Sequence, residues 1–256
     1  MDLENEKNER IDVLHIAQTK IVQNKKFFCY GIDAVLLADF ALQTLNKKNS
    51  GQDTLTGVDL CSGNAIIPIL LARLCKKQIK ISAVEVQPPV AQLAKKSVQI
   101  NNLEKNIFII QDDLKNAKKN LPAQEADFVT VNPPYIKAGR GRKSSNQIKM
   151  IARHEILCNL EDVLQASNFL LKRGAHLFMI HRAERINEIF AMLKKYNFAL
   201  KEYSLVKPNE QKDATMILVK AEKDGVNQKE KQNPDIIIYK TTGEYSNEIK
   251  KIYAIK

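Results

Sequence analysis

The sequence predicts an α/β protein with a doubly wound, mostly parallel sheet of about seven strands, one of them antiparallel. Two observations support this fold class. Short apolar runs alternate with helix-length segments between residues 54 and 196, which is the pattern of parallel β-α-β units. The last two strand-like runs follow each other without a helix between them, so we expect one of them to be antiparallel to its neighbours.

The first half of the sheet follows an N-terminal region that we interpret as irregular. Apolar runs bounded by polar residues predict four strands, at 54–60, 79–84, 107–110 and 126–131. Helices are predicted between the first three of these strands, at 65–74 and 88–100. Pro88 suits a first helical turn, and the asparagines that follow Ile100 suit a helix end.

The second half begins at 159–162, whose residue types are typical of a capped helix start, and we expect this helix to end at Gly174. A further helix is predicted at 183–196, and strands are predicted at 175–180, 199–206 and 214–219. The polar run 220–233 predicts a loop. The remaining segments predict a small edge strand at 235–239 and a short helix or turn at 243–256.

Length and composition fit one large globular domain, with 256 residues and 44% hydrophobic content. No apolar stretch reaches the roughly 20 residues that span a bilayer, and the polar N-terminus lacks the layout of a secretory signal. The cysteines form no C-x-x-C pair; they are Cys29, Cys61, Cys75 and Cys158. We therefore expect no metal, no disulfide framework and no membrane contact, and we predict a cytoplasmic protein with reduced thiols.

The net charge of +11 is unevenly distributed along the chain. Residues 131–160 carry six basic side chains against the single acidic Glu155. Two of these, Arg140 and Arg142, alternate with glycines beside a candidate site, which favours phosphate contact over a merely solvated surface loop. The basic residues of this segment are Lys137, Arg140, Arg142, Lys143, Lys149 and Arg153.

The most informative motif is Asn132-Pro133-Pro134-Tyr135, directly after the strand predicted at 126–131. In open α/β sheets, ligands bind at the carboxyl ends of the parallel strands. The amide and a backbone carbonyl offer acceptors for an amino group, and the tyrosine ring can stack on a planar group. A proline-rich turn that merely ends a strand would require neither the asparagine nor the tyrosine. We therefore predict a site that holds an amino or amide nitrogen.

Three further features lie where predicted strands end. The strand-to-helix turn at 59–64 reads Asp-Leu-Cys-Ser-Gly-Asn, and its backbone N–H groups would face a ligand. Glu85 lies 22 residues after Gly63, which suits hydrogen bonds to ribose hydroxyls. Asp113, beside Asp112, offers a carboxylate to an amino group. The chain lacks both G-x-G-x-x-G and a Walker lysine, which argues against a dinucleotide site and a P-loop.

Together these residues resemble the class I S-adenosylmethionine-dependent methyltransferases that methylate amino groups, over roughly residues 30 to 220. The resemblance implies a Rossmann-like fold with S-adenosylmethionine as the cofactor. It implies catalytic roles for Asn132, Pro133, Pro134 and Tyr135. The cofactor-binding positions that it implies are Asp59, Cys61, Gly63, Asn64, Glu85, Val86, Asp113, Leu114 and Asn132. The chain departs from the family pattern at Cys61 and Ala65, where glycine is usual.

A narrower resemblance rests on residues 28–38, which read Phe-Cys-Tyr-Gly-Ile-Asp-Ala-Val-Leu-Leu-Ala, and on the segments 9–12, 153–155 and 243–246. With these, the chain is similar to the bacterial tRNA1(Val) adenine-37 N6-methyltransferase family, which implies tRNA as the substrate. This resemblance adds Gly31 and Asp33 to the cofactor-binding positions. The substrate-binding residues that it implies are Tyr135, Lys137, Arg140, Arg142, Lys143, Arg153 and His154.

The implied organisation has an N-terminal extension at 1–50 that closes the cofactor site, a methyltransferase core at 51–222 and a C-terminal extension at 223–256. We expect a monomer. Alternatives remain open, namely methylation of an rRNA or DNA base or of a protein glutamine, or a non-catalytic RNA-binding relative. We interpret His154 as a structural residue or an RNA contact rather than a general base. Cys61 and Cys158 are interpreted as packing residues rather than nucleophiles.

Overall fold

The computed structural model describes residues 8–27, 29–47, 54–135, 155–226 and 229–254. An antiparallel hairpin of β1 (Glu9–Leu14) and β2 (Thr19–Asn24) is separate from the main sheet. The strands of the main sheet are β3 (Thr54–Leu60), β4 (Gln78–Glu85), β5 (Ile107–Gln111), β6 (Ala126–Val131), β7 (Leu171–Arg182), β8 (Phe198–Lys207), β9 (Met216–Lys223), β10 (Lys231–Gln232) and β11 (Ile236–Ile237). The helices are α1 (Ile32–Leu45), α2 (Ile66–Leu74), α3 (Pro88–Ile100), α4 (Ala117–Asn120), α5 (Leu160–Leu170), α6 (Ile186–Lys195) and α7 (Asn247–Ile252).

The main sheet has the strand order β10-β8-β9-β7-β6-β3-β4-β5, and β11 also pairs with β8. Strands β3 to β7 are parallel, whereas β9 runs antiparallel to both β7 and β8. The prediction of a doubly wound sheet with one antiparallel strand is confirmed. The seven longer strands lie where the sequence predicts them, and the two-residue strands β10 and β11 extend the sheet beside β8.

Helices cover both faces of the sheet and create two hydrophobic layers. Helices α1, α2 and α7 contribute to the layer that contains Phe128 and Phe178, whereas α5 and α6 contribute to the layer that contains Val129. Strand β6 is buried at every residue because it lies between these layers. Gly57 of β3 permits the packing, since a Cβ there would lie 2.1 Å from Cζ of Phe128 on the neighbouring strand.

The N-terminal region is regular, so the prediction of an irregular segment is wrong. The backbone N–H of Val22 in β2 donates to Ser97 Oγ of α3 at 3.0 Å. The Asn101 amide exchanges hydrogen bonds of 3.1 and 2.6 Å with the backbone of Lys20. Strand β2 therefore completes its hydrogen bonding with side chains about 80 residues away in the sequence, which no local pattern reveals.

The predicted start of α5 is confirmed by reciprocal capping, in which the backbone and side chain of Asn159 and Asp162 exchange two 3.0 Å hydrogen bonds. The predicted end of this helix is wrong, because α5 stops at Leu170 and β7 begins at once. Gly174 has φ +72° and lies inside β7, where the pairing with β6 shifts register. The glycine thus serves an irregularity in a strand rather than a helix end.

Strand β9 continues to Lys223, into the segment for which the sequence predicts a loop. Lys223 is 4% exposed, and its ammonium donates to the carbonyl oxygens of Asn168 and Leu171, where α5 ends. A charged residue is therefore buried because it satisfies carbonyl groups at a helix end. The predicted edge strand forms as β11, and the terminal segment forms α7, capped by Ser246 Oγ, which accepts from Ile249 N–H at 3.2 Å.

None of the helices in the described ranges combines the length and the apolar character that a membrane crossing requires.

Candidate active site

A cleft lies where β3, β4, β5 and β6 end, and it encloses about 960 Å³, part of it open to solvent. Because these strands are parallel neighbours, the segments that follow them meet at one edge of the sheet. The cleft wall contains eight of the positions for which the family resemblance implies cofactor contact: Cys61, Gly63, Asn64, Glu85, Val86, Asp113, Leu114 and Asn132.

The turn after β3 has a left-handed backbone at alternate residues, with φ of 57° at Cys61, 57° at Gly63 and 65° at Ala65. A Cβ is crowded in this conformation, which costs a residue other than glycine about 1–3 kcal/mol. The two positions where the chain departs from the glycine pattern are therefore both strained. The turn is held by backbone hydrogen bonds from Ser62 to Val84 at 2.9 Å and from Ala65 to Ser62 at 3.0 Å.

Glu85, the last residue of β4, connects this turn to the neighbouring strand. The residue is 6% exposed, and its carboxylate accepts from the backbone N–H groups of Gly63 and Gln87, both at 2.9 Å. Burial raises the pKa of Glu85, and the backbone hydrogen bonds oppose that rise. In the described part of the chain, backbone N–H groups leave at least one of the roughly four lone-pair positions of this carboxylate open, so Glu85 can still accept from ribose hydroxyls.

Asp59 is buried beneath the turn and does not line the cleft. Its Oδ1 accepts from the Thr130 hydroxyl at 2.5 Å, whereas Oδ2 has no hydrogen-bond partner within the described ranges. Burial raises the pKa of Asp59 to about 7, and the Thr130 hydrogen bond opposes that rise. Because the turn covers this carboxylate, it would act on a ligand in the cleft through its charge rather than by direct contact.

The two adjacent acids after β5 have different partners. Asp112 accepts from the backbone N–H of Asp113 at 2.7 Å and from the side-chain amides of Asn116, at 3.0 Å, and Asn120. The Asn116 hydrogen bond is the main cause of the lowered pKa of Asp112. Asp113 caps the next turn through the Lys115 N–H at 3.0 Å and pairs with the Lys115 ammonium at 3.2 Å. Both acids line the cleft.

A contact with α1 orients the amide of Asn132. Its Nδ2 donates to Oδ2 of Asp33 at 3.0 Å. Because a carboxylate only accepts hydrogen bonds, this contact directs the amide nitrogen to Asp33 and leaves Oδ1 as an acceptor. That oxygen is buried and has no donor among the residues that the structure describes. Gly31 and Asp33 do not line the cleft, and Asp33 reaches the site through Asn132.

Side chains at the end of β7 surround Tyr135. The His181 ring packs edge-on against it, with centroids 6.2 Å apart, and the Arg182 guanidinium lies 5.5 Å from the tyrosine centroid. Behind them, Arg185 donates to Glu155 at 2.5 Å, and its Nη1 lies 3.4 Å from Nε2 of His181. A buried cluster of ring and charged side chains thus fixes the tyrosine at the edge of the cleft.

The methyltransferase small domain family matches residues 19–195, which is more than half of the chain. The chain belongs to this family. Among curated proteins, it is similar to the tRNA1(Val) (adenine(37)-N6)-methyltransferase of Aeromonas hydrophila, with 24% identity over 217 residues and 85% of each chain covered. The protein of that name from Histophilus somni is 25% identical over 236 residues, with 92% of each chain covered.

Solved structures show the same fold. A predicted O-methyltransferase, Atu636 of Agrobacterium tumefaciens, has a TM-score of 0.65 at 21% identity, covering 87% of this chain and 95% of that chain. The M. jannaschii TYW2 structure, in complex with AdoMet, has a TM-score of 0.55 at 15% identity, covering 84% and 87%. Family membership and fold make the chain a class I S-adenosylmethionine-dependent methyltransferase.

The sequence interpretation missed several residues of this methyltransferase site. Gln23 Oε1 accepts from the Tyr30 backbone at 3.1 Å and lies 3.5 Å from Nδ2 of Asn64, which links the N-terminal hairpin to the turn after β3. Tyr30 itself lines the cleft. The sequence around Gln23 gave no local signal, because polar residues follow it directly and its partners lie in other segments. The positions of His181 and Arg182 beside Tyr135 had no such signal, because β7 is about 40 residues away in sequence.

Cys61 and Cys158 meet at the cleft, with their sulfur atoms 3.9 Å apart, and all four cysteines are free. The contact with Cys158, together with burial, raises the pKa of the Cys61 thiol, which lowers its thiolate content. In the described ranges, no group of three or more His, Cys, Asp or Glu side chains is placed to hold a metal ion.

Six residues with predicted substrate contacts lie outside the described residues, so their roles stay predictions: Lys137, Arg140, Arg142, Lys143, Arg153 and His154.

Proposed function

We propose that this methyltransferase methylates the exocyclic N6 amino group of an adenine in tRNA. The observation that carries the proposal is the acceptor of Asn132, a buried amide oxygen without a donor in the described part of the chain. Its orientation is fixed by Asp33 before any substrate binds. Asn132 Oδ1 and the carbonyl of Pro133 would accept the two N–H bonds of the target amino group.

This pair of acceptors addresses the main chemical difficulty of the reaction. The lone pair of adenine N6 is delocalised into the ring, so the nitrogen is a poor nucleophile. Accepting both of its N–H bonds favours a pyramidal nitrogen whose lone pair is exposed. When bound, S-adenosylmethionine supplies a methyl group that is already activated. The protein's main contribution is therefore in-line placement, which can supply roughly 7–11 kcal/mol.

The cleft offers groups for each part of the cofactor. The turn at 59–64 and the buried Asp59 carboxyl suit the methionine end, Glu85 suits the ribose, and Asp113 suits the adenine amino group. The N-terminal hairpin packs on α3 and connects to the turn through Gln23, and Tyr30 lines the cleft. These contacts support the proposed role of residues 1–50 in closing the cofactor site.

Two observations support tRNA as the substrate. The curated relatives named above are tRNA adenine-N6 methyltransferases, at about 25% identity. The net charge of +11 favours a polyanion, and such binding should weaken steeply with salt. An adenine must leave its stack to reach Asn132, which costs a few kcal/mol and least in a single-stranded loop. Stacking on Tyr135 would return about 1–3 kcal/mol. A tRNA substrate also fits the predicted cytoplasmic location.

The test is to incubate the protein with labelled S-adenosylmethionine and an unmodified tRNA1(Val) transcript, and to digest the product to nucleosides. We expect the label in N6-methyladenosine. The matched control is the same transcript with guanosine in place of adenosine at position 37, which should take up no label. Label in another nucleoside, or transfer only to rRNA, DNA or protein glutamine, would overturn the assignment.

A further inference from the structure

Three tyrosines of the C-terminal segment form a stack outside the cleft. The ring centroids of Tyr239 and Tyr245 are 5.3 Å apart, those of Tyr245 and Tyr253 are 5.8 Å apart, and the planes of each pair are inclined by 12°. Near-parallel rings at these separations are offset-stacked. Tyr239 stands at one end and is 41% exposed, whereas Tyr245 and Tyr253 pack against the core.

Local hydrogen bonds hold the stack in place. Tyr239 and Tyr245 pair as an antiparallel bridge, the Lys240 N–H donates to the Glu244 carbonyl at 2.7 Å, and the Ser246 N–H donates to Ile238 at 2.9 Å. Ser246 then caps α7, the helix that leads to Tyr253. These hydrogen bonds already order the segment that carries Tyr239 in the free protein. Binding of a partner to this ring therefore costs little conformational entropy of the protein.

The partly buried end of the stack, at Tyr253, lies close to Tyr30 and Asp33 of the candidate active site. Helix α7 packs against α1, which carries Asp33. Burial, and then the neighbouring Tyr245, Tyr30 and Asp33, raise the pKa of Tyr253. Because Tyr30 lines the cleft and Asp33 holds the Asn132 amide, the stack leads from this side of the cleft to the surface.

The exposed end suits a nucleobase. Among the described rings, Tyr239 stacks on Tyr245, and at 41% exposure part of its ring remains accessible to a ligand. The same C-terminal segment carries exposed lysines: Lys240 lines the same surface depression as Tyr239, and Lys251 is on α7. An aromatic face stacks on any base and ammonium groups contact phosphates, a combination typical of single-stranded nucleic acid binding. An apolar peptide is a less suitable partner, because this surface offers it one aromatic ring in a segment with the charged Lys240 and Glu244.

We propose that another unpaired base of the loop that contains the target adenine stacks on Tyr239, so that the tyrosine stack orients the single-stranded loop of the substrate RNA over the cleft. The inference rests on the proposed function for its RNA. Its primary test is a binding measurement that does not depend on methyl transfer.

The chain contains no tryptophan, so Tyr239→Trp introduces a single fluorescent reporter at the proposed contact. We expect the unmodified tRNA1(Val) transcript to quench its emission saturably, with an affinity close to that of the wild-type protein. Emission that does not change at saturating transcript would overturn the proposal.

Removal of the ring tests the energetic contribution. Tyr239→Ala should raise the KM and the Kd for the transcript about 10-fold, without changing kcat at saturating RNA or cofactor affinity. Tyr239→Phe keeps the ring and should behave like the wild type. The matched control is Phe108→Ala, which removes a 49% exposed ring from β5 at the opposite edge of the sheet. If Tyr239→Ala resembles Phe108→Ala in RNA binding, or lowers only thermal stability, the proposal is wrong.

The two proposals fail in different ways. If the wild-type protein methylates the transcript at adenine but the tryptophan emission does not respond, only the stacking inference is wrong. If the emission responds but the label enters another nucleoside, the RNA surface stands and the assigned target is wrong.

Discussion

Two segments that follow neighbouring strands build this site in opposite ways. Leu60 of β3 pairs with Val131 of β6, so the turn at 61–65 and the segment 132–135 begin side by side. The turn is strained, with left-handed backbone at Cys61 and Ala65, and it covers Oδ2 of Asp59, which has no hydrogen-bond partner in the described part of the chain. The second segment contains two prolines of restricted φ and an amide that is already oriented by α1.

The difference indicates a division of labour. The turn is strained and covers a buried carboxyl whose hydrogen bonding is incomplete within the described ranges. A bound ligand with an ammonium group would stabilise the charged form of that carboxyl. The segment 132–135 is preorganised, which is the property that lowers an activation barrier. Changes in the turn should therefore alter cofactor affinity and stability, whereas changes in 132–135 should alter kcat.

The largest effect is expected at Asn132. Asn132→Ala removes the oriented acceptor, and kcat should fall about 100- to 1000-fold, as for the loss of other preorganised polar groups. Cofactor affinity, measured by calorimetry, should stay within about 3-fold of wild type, because the turn and Glu85 are untouched. Asn187→Ala, at an exposed position of α6 that does not line the cleft, is the matched control. Retained activity would contradict the proposed role of the Asn132 amide. A parallel loss of cofactor binding would show that the two segments do not separate cofactor binding from catalysis.

Asp59→Asn tests the turn through opposite effects on binding and stability. With a pKa of about 7 in the fold, Asp59 binds more protons in the folded than in the unfolded state between about pH 4 and 7, so stability falls as pH rises through that window. The difference between the folded and unfolded pKa of Asp59 limits this decrease in the free energy of unfolding to about 4 kcal/mol. The asparagine variant should be more stable than wild type at pH 8 without cofactor, yet bind cofactor more weakly.

Urea unfolding at pH 5 and pH 8, with calorimetry of cofactor binding, measures both effects. Thr130→Val removes the hydrogen bond that opposes the pKa rise and should steepen the loss of stability with pH. If wild type and Asp59→Asn show the same pH dependence, Asp59 is not the titrating group.

Asp33→Ala should have a smaller effect than loss of the amide itself. The variant frees Asn132 to rotate, and we expect kcat to fall about 10-fold, the equivalent of about 1.4 kcal/mol. The matched control is Asp39→Ala, which removes an acid from the same helix without a contact to Asn132. In a double-mutant cycle, Asp33→Ala should add little to Asn132→Ala. Additive losses would show that Asp33 acts by another route.

The smallest effect is expected at Ala65. Ala65→Gly relieves the left-handed strain but removes a buried methyl group worth about 0.8 kcal/mol, so the free energy of unfolding should change by less than about 1 kcal/mol. Ala65→Val, whose branched side chain suits neither the backbone nor the space, should lower it by about 2 kcal/mol or more. Urea unfolding compares the two. Equal effects would mean that the backbone at Ala65 is not strained.

The sequence predicted most of the sheet because its strands carry local signals. The segment 126–131 is mostly apolar and is buried at every residue, and the prolines that follow can only end it. Local signals did not predict β2, whose backbone binds the side chains of Ser97 in α3 and of Asn101 directly after it. They also did not predict the burial of Lys223, which depends on carbonyl groups at the end of α5. In each failure the deciding partner was distant in sequence.

By itself the sequence determined the fold class and the strand ends at which Glu85, Asp113 and Asn132 lie, because periodicity and chain punctuation are local properties. Only the tertiary structure decided which groups meet. Asp33 orients Asn132 across 99 residues of chain, Cys61 touches Cys158, and the tyrosine stack lies near α1. These contacts depend on how helices pack over the sheet. The pattern of apolar residues in a sequence predicts that a residue is buried, but not which distant residue it contacts.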